Sequence, residues 1–353
     1  MVPDVPDTPV GEYVKVRFTT ADASTRAVWA DPNGSGSLFF NWEKYSGNGA
    51  GLVVGLATGS EYLSAWLSEA PPEDEVETYG SLVTVEPVAE EDGYSNRANF
   101  ETVKYYVPTD VGHATCVHAV TPFDQSVFRL NELNATAEMP DVFSQTASKD
   151  PSFLRNYMFM CGAAEMTDGS ASIAFEHIPA TFRFIVTNKR PGDATIKSVK
   201  ISRDDGGNMG STQLALSARA ADAEISKAYT SPCSAITTSI TGDGAALAPD
   251  ATYIAYAMAL PIGNVDTGKL DENAFSGKQI KFTIEAGDPD NEYLSFVLDG
   301  SQLAGANPNG EYNWVGGKSY TIRMSLSDVL TFDGITVNNW IGTDINGGEA
   351  EEN

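Results

Sequence analysis

The sequence predicts an all-β protein made of two tandem antiparallel β-sandwich domains. Apolar and polar residues alternate over short stretches, which is the pattern of strands with one buried face. Gly, Asn, Asp and Pro residues separate these stretches and predict turns, whereas helical periodicity is scarce. The chain has 353 residues, 42% of them hydrophobic, so it is too long for one ordinary sandwich and can form two cores.

The clearest alternation occurs in residues 14–18, 280–285 and 320–326, where apolar and polar side chains fall on opposite faces. Residues 182–186 are more apolar, which predicts an inner strand covered on both faces. Residues 150–160 predict a short helical turn instead of a strand.

The predicted domain boundary lies at residues 187–193, where polar residues are followed by the turn-forming pair Pro191-Gly192. We therefore expect an N-terminal sandwich domain over residues 1–190. A C-terminal sandwich domain would follow over residues 191–353 and end in an acidic, Gly-rich tail.

The charge is strongly negative, with 22 Lys and Arg against 48 Asp and Glu and a net charge of −26. This excess repels nucleic acids and anionic lipids, so we expect no nucleic-acid partner. No stretch approaches the length of a membrane span. Residues 1–9 predict a flexible tether. Such a tether would fit a mature lipoprotein in which Met1 stands in place of the signal peptide and the anchor cysteine. A cytosolic N-terminus is the alternative.

The sequence offers little catalytic or metal-binding chemistry. Its three cysteines, Cys116, Cys161 and Cys233, are too few for a disulfide framework, which leaves one Cys116–Cys161 bridge or three buried thiols. His177 shares a strand face with apolar neighbours and is predicted to be a buried structural residue. On a strand, His113 would point away from Cys116 and His118, so no metal site is expected.

No nucleophile elbow, zinc-protease helix or phosphate-binding loop is present, and no carboxylate pair stands out. We expect no catalytic, cofactor-binding or metal-binding residue, and no enzymatic activity. The acidic stretches 203–208 and 288–292 predict turns in preference to calcium loops, because the spacing of an EF-hand is absent. Residues 47–51, rich in glycine, predict a hairpin or a bulge.

Several segments occur in the order and spacing of a known family. In the N-terminal part they are Val16-Arg17-Phe18 with Thr25-Arg26-Ala27-Val28-Trp29, residues 38–42 with 51–54, and residues 173–186 with Phe175 and His177. In the C-terminal part they are residues 253–261 ending in Leu260-Pro261, residues 314–322 with Gly317-Lys318-Ser319-Tyr320, and residues 335–340 ending in Trp340. Together they resemble the fimbrillin family, the shaft, anchor and tip subunits of type V pili of Bacteroidales and related surface proteins. Residues 38–54 depart from the family's usual Gly-Asp turn.

This resemblance implies two transthyretin-like, Greek-key sandwiches, export as an outer-membrane lipoprotein and a cell-surface location in a fimbria. It also implies assembly by strand exchange, in which an arginine-specific protease removes the first strand and a neighbouring subunit's strand fills the groove. The removable strand would carry Val14, Val16 and Phe18, and Arg26 is the arginine best placed for cleavage. A plain exposed loop arginine is the alternative for Arg26.

The donor strand of this chain would contain Phe332, Ile335, Val337 and Ile341. These residues could instead form the chain's own last strand, in which case the subunit accepts a strand but donates none, as expected of a tip adhesin. The expected partners are other pilin subunits, and membrane contact would run only through a lipid anchor. The alternative function is that of a monomeric fimbrillin-like surface lipoprotein, which binds glycan or host protein.

Overall fold

A computed structural model describes the backbone of residues 11–14, 17–20, 47–58, 61–63, 80–88, 97–102, 105–108, 116–121, 125–128, 132–166, 170–287 and 292–339. The first fourteen strands are β1 Gly11–Val14, β2 Arg17–Thr20, β3 Gly47–Thr58, β4 Glu61–Leu63, β5 Gly80–Val88, β6 Arg97–Thr102, β7 Tyr105–Pro108, β8 Cys116–Thr121, β9 Gln125–Phe128, β10 Glu132–Glu138, β11 Val142–Gln145, β12 Met160–Glu165, β13 Ser170–Ile173 and β14 Glu176–His177. The later elements are β15 Ala180–Asn188, β16 Ala194–Arg203, β17 Gly210–Arg219, β18 Ser226–Cys233, β19 Ala235–Ile240, β20 Ala245–Leu247, β21 Thr252–Ala259, β22 Gln279–Ala286, β23 Glu292–Asp299, helix α1 Gly300–Ala306, β24 Lys318–Leu326 and β25 Leu330–Asn339. The all-β prediction is confirmed.

The strands before residue 180 form most of the N-terminal sheets. The largest sheet has nine strands, with the path β13-β2-β6-β5-β3-β8-β12-β14 and β4 paired to β3. Strands β1 and β7 form a two-stranded sheet, and β9 and β10 pair with β17 and β18 in a four-stranded sheet. The glycine-rich stretch 47–51 belongs to β3, whose register with β5 shifts between Asn48 and Val53, so the predicted bulge is present.

Two further sheets form a sandwich in the C-terminal part. One has the path β11-β19-β16-β22-β23, with β20 paired to β16, and the other has the path β21-β15-β24-β25. Polar side chains join the sheets at one side, where the Thr238 hydroxyl donates to the Tyr256 carbonyl at 2.6 Å. At the other side, the rings of Phe296 and Phe332 lie 5.2 Å apart.

Strand β15 is the inner strand that its apolar sequence predicts. It pairs antiparallel with β21 and parallel with β24, and Phe182 and Phe184 are buried. The predicted boundary at residue 190 follows β15, whereas both partners of β15 come after it. Strand β11, also from the predicted N-terminal domain, pairs in parallel with β19. The division at residue 190 stays a prediction, and the two parts of the chain share sheets across it.

Two short helical segments lie between strands in the part of the chain that the structure describes. The predicted turn within residues 150–160 is a 3-10 helix, Ser152–Tyr157. Helix α1 was not predicted, because its seven residues include two glycines and no apolar periodicity. It begins with a capping box of Asp299 and Gln302, and a Cβ at Gly300 would lie 2.0 Å from the Phe275 carbonyl oxygen. None of the helices in the described part is long and apolar enough to cross a membrane.

Gln145 closes the side of the sandwich where β11 and β21 meet. Its side-chain amide donates to the Ile254 carbonyl at 2.8 Å, and its oxygen accepts from the Tyr256 amide at 2.9 Å. Because the side chain is fully buried, water cannot replace these bonds if they are lost.

We expect Gln145→Ala to lower the free energy of unfolding by about 2–4 kcal/mol, since it leaves buried backbone groups without these bonds. Urea unfolding monitored by circular dichroism measures the change. Gln213→Ala is the matched control, because the half-buried Gln213 side chain bonds only the hydroxyls of Thr230 and Ser231, so the change in stability should be less than about 0.5 kcal/mol. Equal effects of the two substitutions would contradict the role given to Gln145.

Candidate assembly site

The predicted removable strand falls on two separate strands. Val14 ends β1, which pairs with β7, and Phe18 lies in β2. Val16 lies between these two strands in the sequence and outside the described residues. Arg26, which follows β2, is also outside the described residues. Both strands precede Arg26 in the sequence, so a single cut there would separate both from the rest of the chain.

Strand β2 is an inner strand of the nine-stranded sheet. It pairs antiparallel with β6, where Phe18 faces Phe100, and parallel with β13, where Phe18 faces Ala171. Each of its edges therefore has a strand partner. If β2 left the sheet, backbone donors and acceptors of both β6 and β13 would lose their partners.

The neighbouring strands hold the β13 side of this position in place. Ile173 at the end of β13 is fully buried, and a Cβ at Gly162 in β12 would lie 2.6 Å from its Cγ2 atom. A larger residue at position 162 would therefore push β13 away from β12. This close packing fixes one wall of the position that β2 occupies.

Three of the four predicted donor residues belong to β25, the last strand of the described residues. Phe332, Ile335 and Val337 lie in β25, which pairs with β24 from Lys318–Asn339 to Leu326–Leu330, and all three are half-buried against the core. Ile341 lies outside the described residues. Of the two arrangements that the sequence leaves open, the structure shows the one in which these three side chains fill their own sandwich.

The described histidines have structural roles. Residues Ile173, Phe175 and His177 are all buried, which confirms that they share a face. Burial lowers the pKa of His177 to about 3, so its ring is neutral at physiological pH. The Nε2 atom of His118 lies 2.6 Å from the Asp222 carbonyl oxygen, and burial lowers its pKa as well. His113 lies outside the described residues.

The strand register excludes a bridge between Cys116 and Cys161. Cys161 faces Val120 and Cys116 faces Glu165, so the two cysteines are separated by roughly 13 Å along the strands, whereas a disulfide requires Cα atoms less than about 7 Å apart. Cys161 and Cys233 are free and buried, and burial raises the pKa of their thiols to about 12 and about 11. Both are therefore protonated and poorly nucleophilic.

No three His, Cys, Asp or Glu residues come together as metal ligands in the described ranges. In the acidic turn after β16, Asp205 pairs with Arg203 at 2.5 Å and accepts from the Gly207 amide at 3.0 Å. The guanidinium of Arg203, by its hydrogen bond, lowers the pKa of Asp205 to about 2. The second acidic stretch joins β22 and β23, which pair as an antiparallel hairpin, and residues 288–291 lie outside the described ranges.

The arrangement described above is that of an all-β protein with sheets packed in sandwiches. The chain is similar to a candidate cell adhesion protein from Bacteroides uniformis, at 13% identity and a TM-score of 0.45, with 93% of this chain and 98% of that chain covered. It is also similar to the tip fimbrial protein Mfa3 of Porphyromonas gingivalis, truncated at its C-terminus, at 9% identity and a TM-score of 0.36, with coverages of 93% and 100%.

A third similar structure is the fimbrial anchor protein Mfa2 of P. gingivalis, at 12% identity and a TM-score of 0.35, covering 94% of this chain and 98% of that chain. No protein-family model and no curated protein sequence matches this chain.

We expect the pKa of His177 to make stability depend on pH. The folded value is about 3 and the unfolded value about 6.5, so the stabilising effect is complete above pH 6.5 and is lost as the pH falls towards 3. Between these values the unfolding free energy should fall by up to about 1.4 kcal/mol per pH unit because of this residue. His177→Leu should remove that share of the slope between pH 4 and 6, measured by urea unfolding. Both proteins contain His118, so its contribution to the pH dependence cancels in the comparison. Identical slopes for the unaltered chain and His177→Leu would contradict the lowered pKa of His177.

Phe332→Ala should lower the free energy of unfolding by about 1–3 kcal/mol, because the half-buried ring loses its contact with Phe296. Val329→Ala is the control, since Val329 is 62% exposed and should change stability by less than about 0.5 kcal/mol. If Phe332→Ala proved as harmless as the control, β25 would be a loosely held strand and available for donation.

Proposed function

We propose that this chain is a non-enzymatic subunit of a bacterial surface pilus, which accepts a strand from a neighbouring subunit and stands at the pilus tip as an adhesin. The observation that supports this best is the inner position of β2, between β6 and β13 and upstream of Arg26. Together with the motif resemblance, this position fits a strand that can be exchanged.

A cut after Arg26 would change the energetics of β2 without touching its hydrogen bonds. While the chain is intact, β2 is held at a high effective concentration by its covalent connection to the rest of the sheet. After cleavage, a strand of only four residues depends on its pairing alone. A longer strand from a neighbour could then replace it, since main-chain hydrogen bonds tolerate any sequence and the side chains set the specificity.

The last strand supports an acceptor role over a donor role. Donation of β25 would break its nine paired positions with β24 and withdraw three half-buried side chains from the core. Each partly buried apolar side chain contributes on the order of 1 kcal/mol. A subunit that accepts a strand and keeps its own last strand ends a chain of subunits, and this is why we place it at the tip.

The remaining parts of the proposal come from the motif resemblance. They are export as a lipoprotein, location at the outer membrane and the cell surface, and proteolytic maturation before assembly. The alternative is a monomeric fimbrillin-like surface lipoprotein that binds glycan or host protein. The embedded position of β25 is compatible with this alternative, because a chain that keeps β25 in its own sheet can also remain monomeric.

The test combines arginine-specific digestion with peptide capture. We expect an early cut after Arg26, mapped by N-terminal sequencing and mass spectrometry, and the trimmed chain should bind a synthetic peptide of residues 11–20. A scrambled peptide of the same composition should not bind. Size-exclusion chromatography should show no homopolymer, because β25 stays in its own sheet.

The Arg26→Lys variant is the matched control, since an arginine-specific protease leaves it uncut at this position and it should not take up the peptide. Resistance of the unaltered chain at Arg26, or a trimmed chain that binds neither peptide, would overturn strand exchange and favour the monomeric binder. Homopolymers of the trimmed chain would support strand exchange but overturn the tip position.

A further inference from the structure

A small cavity lies where β14 and β18 meet the loops after β21 and before β24. Its volume is about 190 Å³, or roughly six times the ~30 Å³ that a water molecule occupies in the liquid. Its inner surface includes Trp314 and Tyr229, and three glutamates, Glu176, Glu272 and Glu311, contribute to its lining. We call this the Trp314 cavity.

The aromatic surface of the cavity is rigid. Trp314 is 1% exposed, and its indole Nε1 donates to the Met209 carbonyl at 2.7 Å. Its ring lies 4.7 Å from that of Phe182 and 4.9 Å from that of Phe275. Because these contacts hold the indole in place, the protein itself sets the shape of this part of the cavity.

The charges that line the cavity are negative. Glu176 forms an ion pair with Lys227, whereas Glu311 accepts hydrogen bonds from its neighbour Asn309. Glu272 has no side-chain hydrogen bond or ion pair within the described part of the chain, and no lysine or arginine lines the cavity there. His177, also in the lining, is neutral because burial lowers its pKa.

A second feature is the hydroxyl of Tyr229. The residue is only 8% exposed, but its hydroxyl, which has no hydrogen-bond partner among the described residues, is not sealed from solvent. Burial and then the charge of Glu176 raise its pKa, so the hydroxyl stays protonated and lies near that carboxylate. A ligand that displaces water from this hydroxyl must replace the hydrogen bond that the water made.

We propose that the Trp314 cavity binds a primary ammonium group carried on a short alkyl stem. An ammonium offers three donors, which match the carboxylates of Glu272 and Glu311 and the oxygen of Tyr229. Leu270, 45% exposed at the cavity, provides an apolar contact for the stem. A carboxylate ligand would be repelled, and a purely apolar one would leave the hydroxyl unpaired.

The ammonium could belong to a lysine side chain of a partner protein or to a free amine. The cavity is large enough for the ammonium end of either molecule. The proposal is therefore recognition of the ammonium group that both carry. This site is independent of strand exchange, since none of its lining residues belongs to β2, β6 or β13.

The test is titration of the full chain with n-butylamine, followed by the shifts of the Trp314 indole and Gly316 amide in nuclear magnetic resonance spectra. We expect saturable binding, and n-butanol, of equal size but neutral, should bind about tenfold more weakly. Glu272→Gln and Tyr229→Phe should each weaken amine binding by about tenfold. Asp243→Asn, in an exposed turn outside the cavity, is the matched control and should change it by less than about twofold.

Nα-acetyl-lysine methylamide, whose side-chain ammonium is free, distinguishes a lysine side chain of a partner protein from a free amine. Binding at least as tight as that of n-butylamine supports a lysine side chain, and weaker binding supports a free amine. Equal affinity for n-butylamine and n-butanol would overturn the proposal. An equal loss of amine affinity in Asp243→Asn and Glu272→Gln would also overturn it, and so would the absence of saturable n-butylamine binding. Thermal unfolding of each variant confirms that Glu272→Gln and Tyr229→Phe remain folded.

Discussion

The pairing of β15 is the constraint on which the rest of the C-terminal structure depends. Because β15 bonds to β21 on one edge and to β24 on the other, segments from residues 180, 252 and 318 onwards must all meet in one sheet. The parallel pair β15–β24 needs a long connection, and the chain between them supplies every strand of the opposite sheet except β11. Buried Phe182 and Phe184 then form the floor on which that second sheet packs.

The two sides of this sandwich are closed by different physical means. On the β11 side, the side-chain amide of Gln145 forms hydrogen bonds with the backbone of Ile254 and Tyr256. On the β23 side, the sandwich is closed by packing of aromatic rings, since Phe296 lies against both Phe282 and Phe332. The aromatic side holds the last strand of the described chain in its own sheet, so the contact that closes the sandwich also supports the acceptor role that we propose.

The contrast between β2 and β25 links stability to assembly. Strand β2 is short, lies near the beginning of the chain and has a strand on each edge, so its departure would leave a defined gap. Strand β25 is long and places three apolar side chains against the core. For these reasons we propose β2, and not β25, as the strand that is exchanged. The Trp314 cavity lies away from both strands, at the junction of β14 and β18 with two loops, and would allow recognition without disturbing assembly.

The sequence by itself determined the fold class, because period-two alternation and the apolar run of β15 depend only on neighbouring residues. It also determined the buried face of Ile173, Phe175 and His177, for the same reason. Only the tertiary structure decided that β15 joins the C-terminal sheets, that Cys116 and Cys161 lie far apart, and that Phe332 fills its own sandwich, since each depends on which distant strand a segment meets. The Trp314 cavity gave no local signal either: its glutamates are spread from residue 176 to residue 311, and only folding brings them to one place.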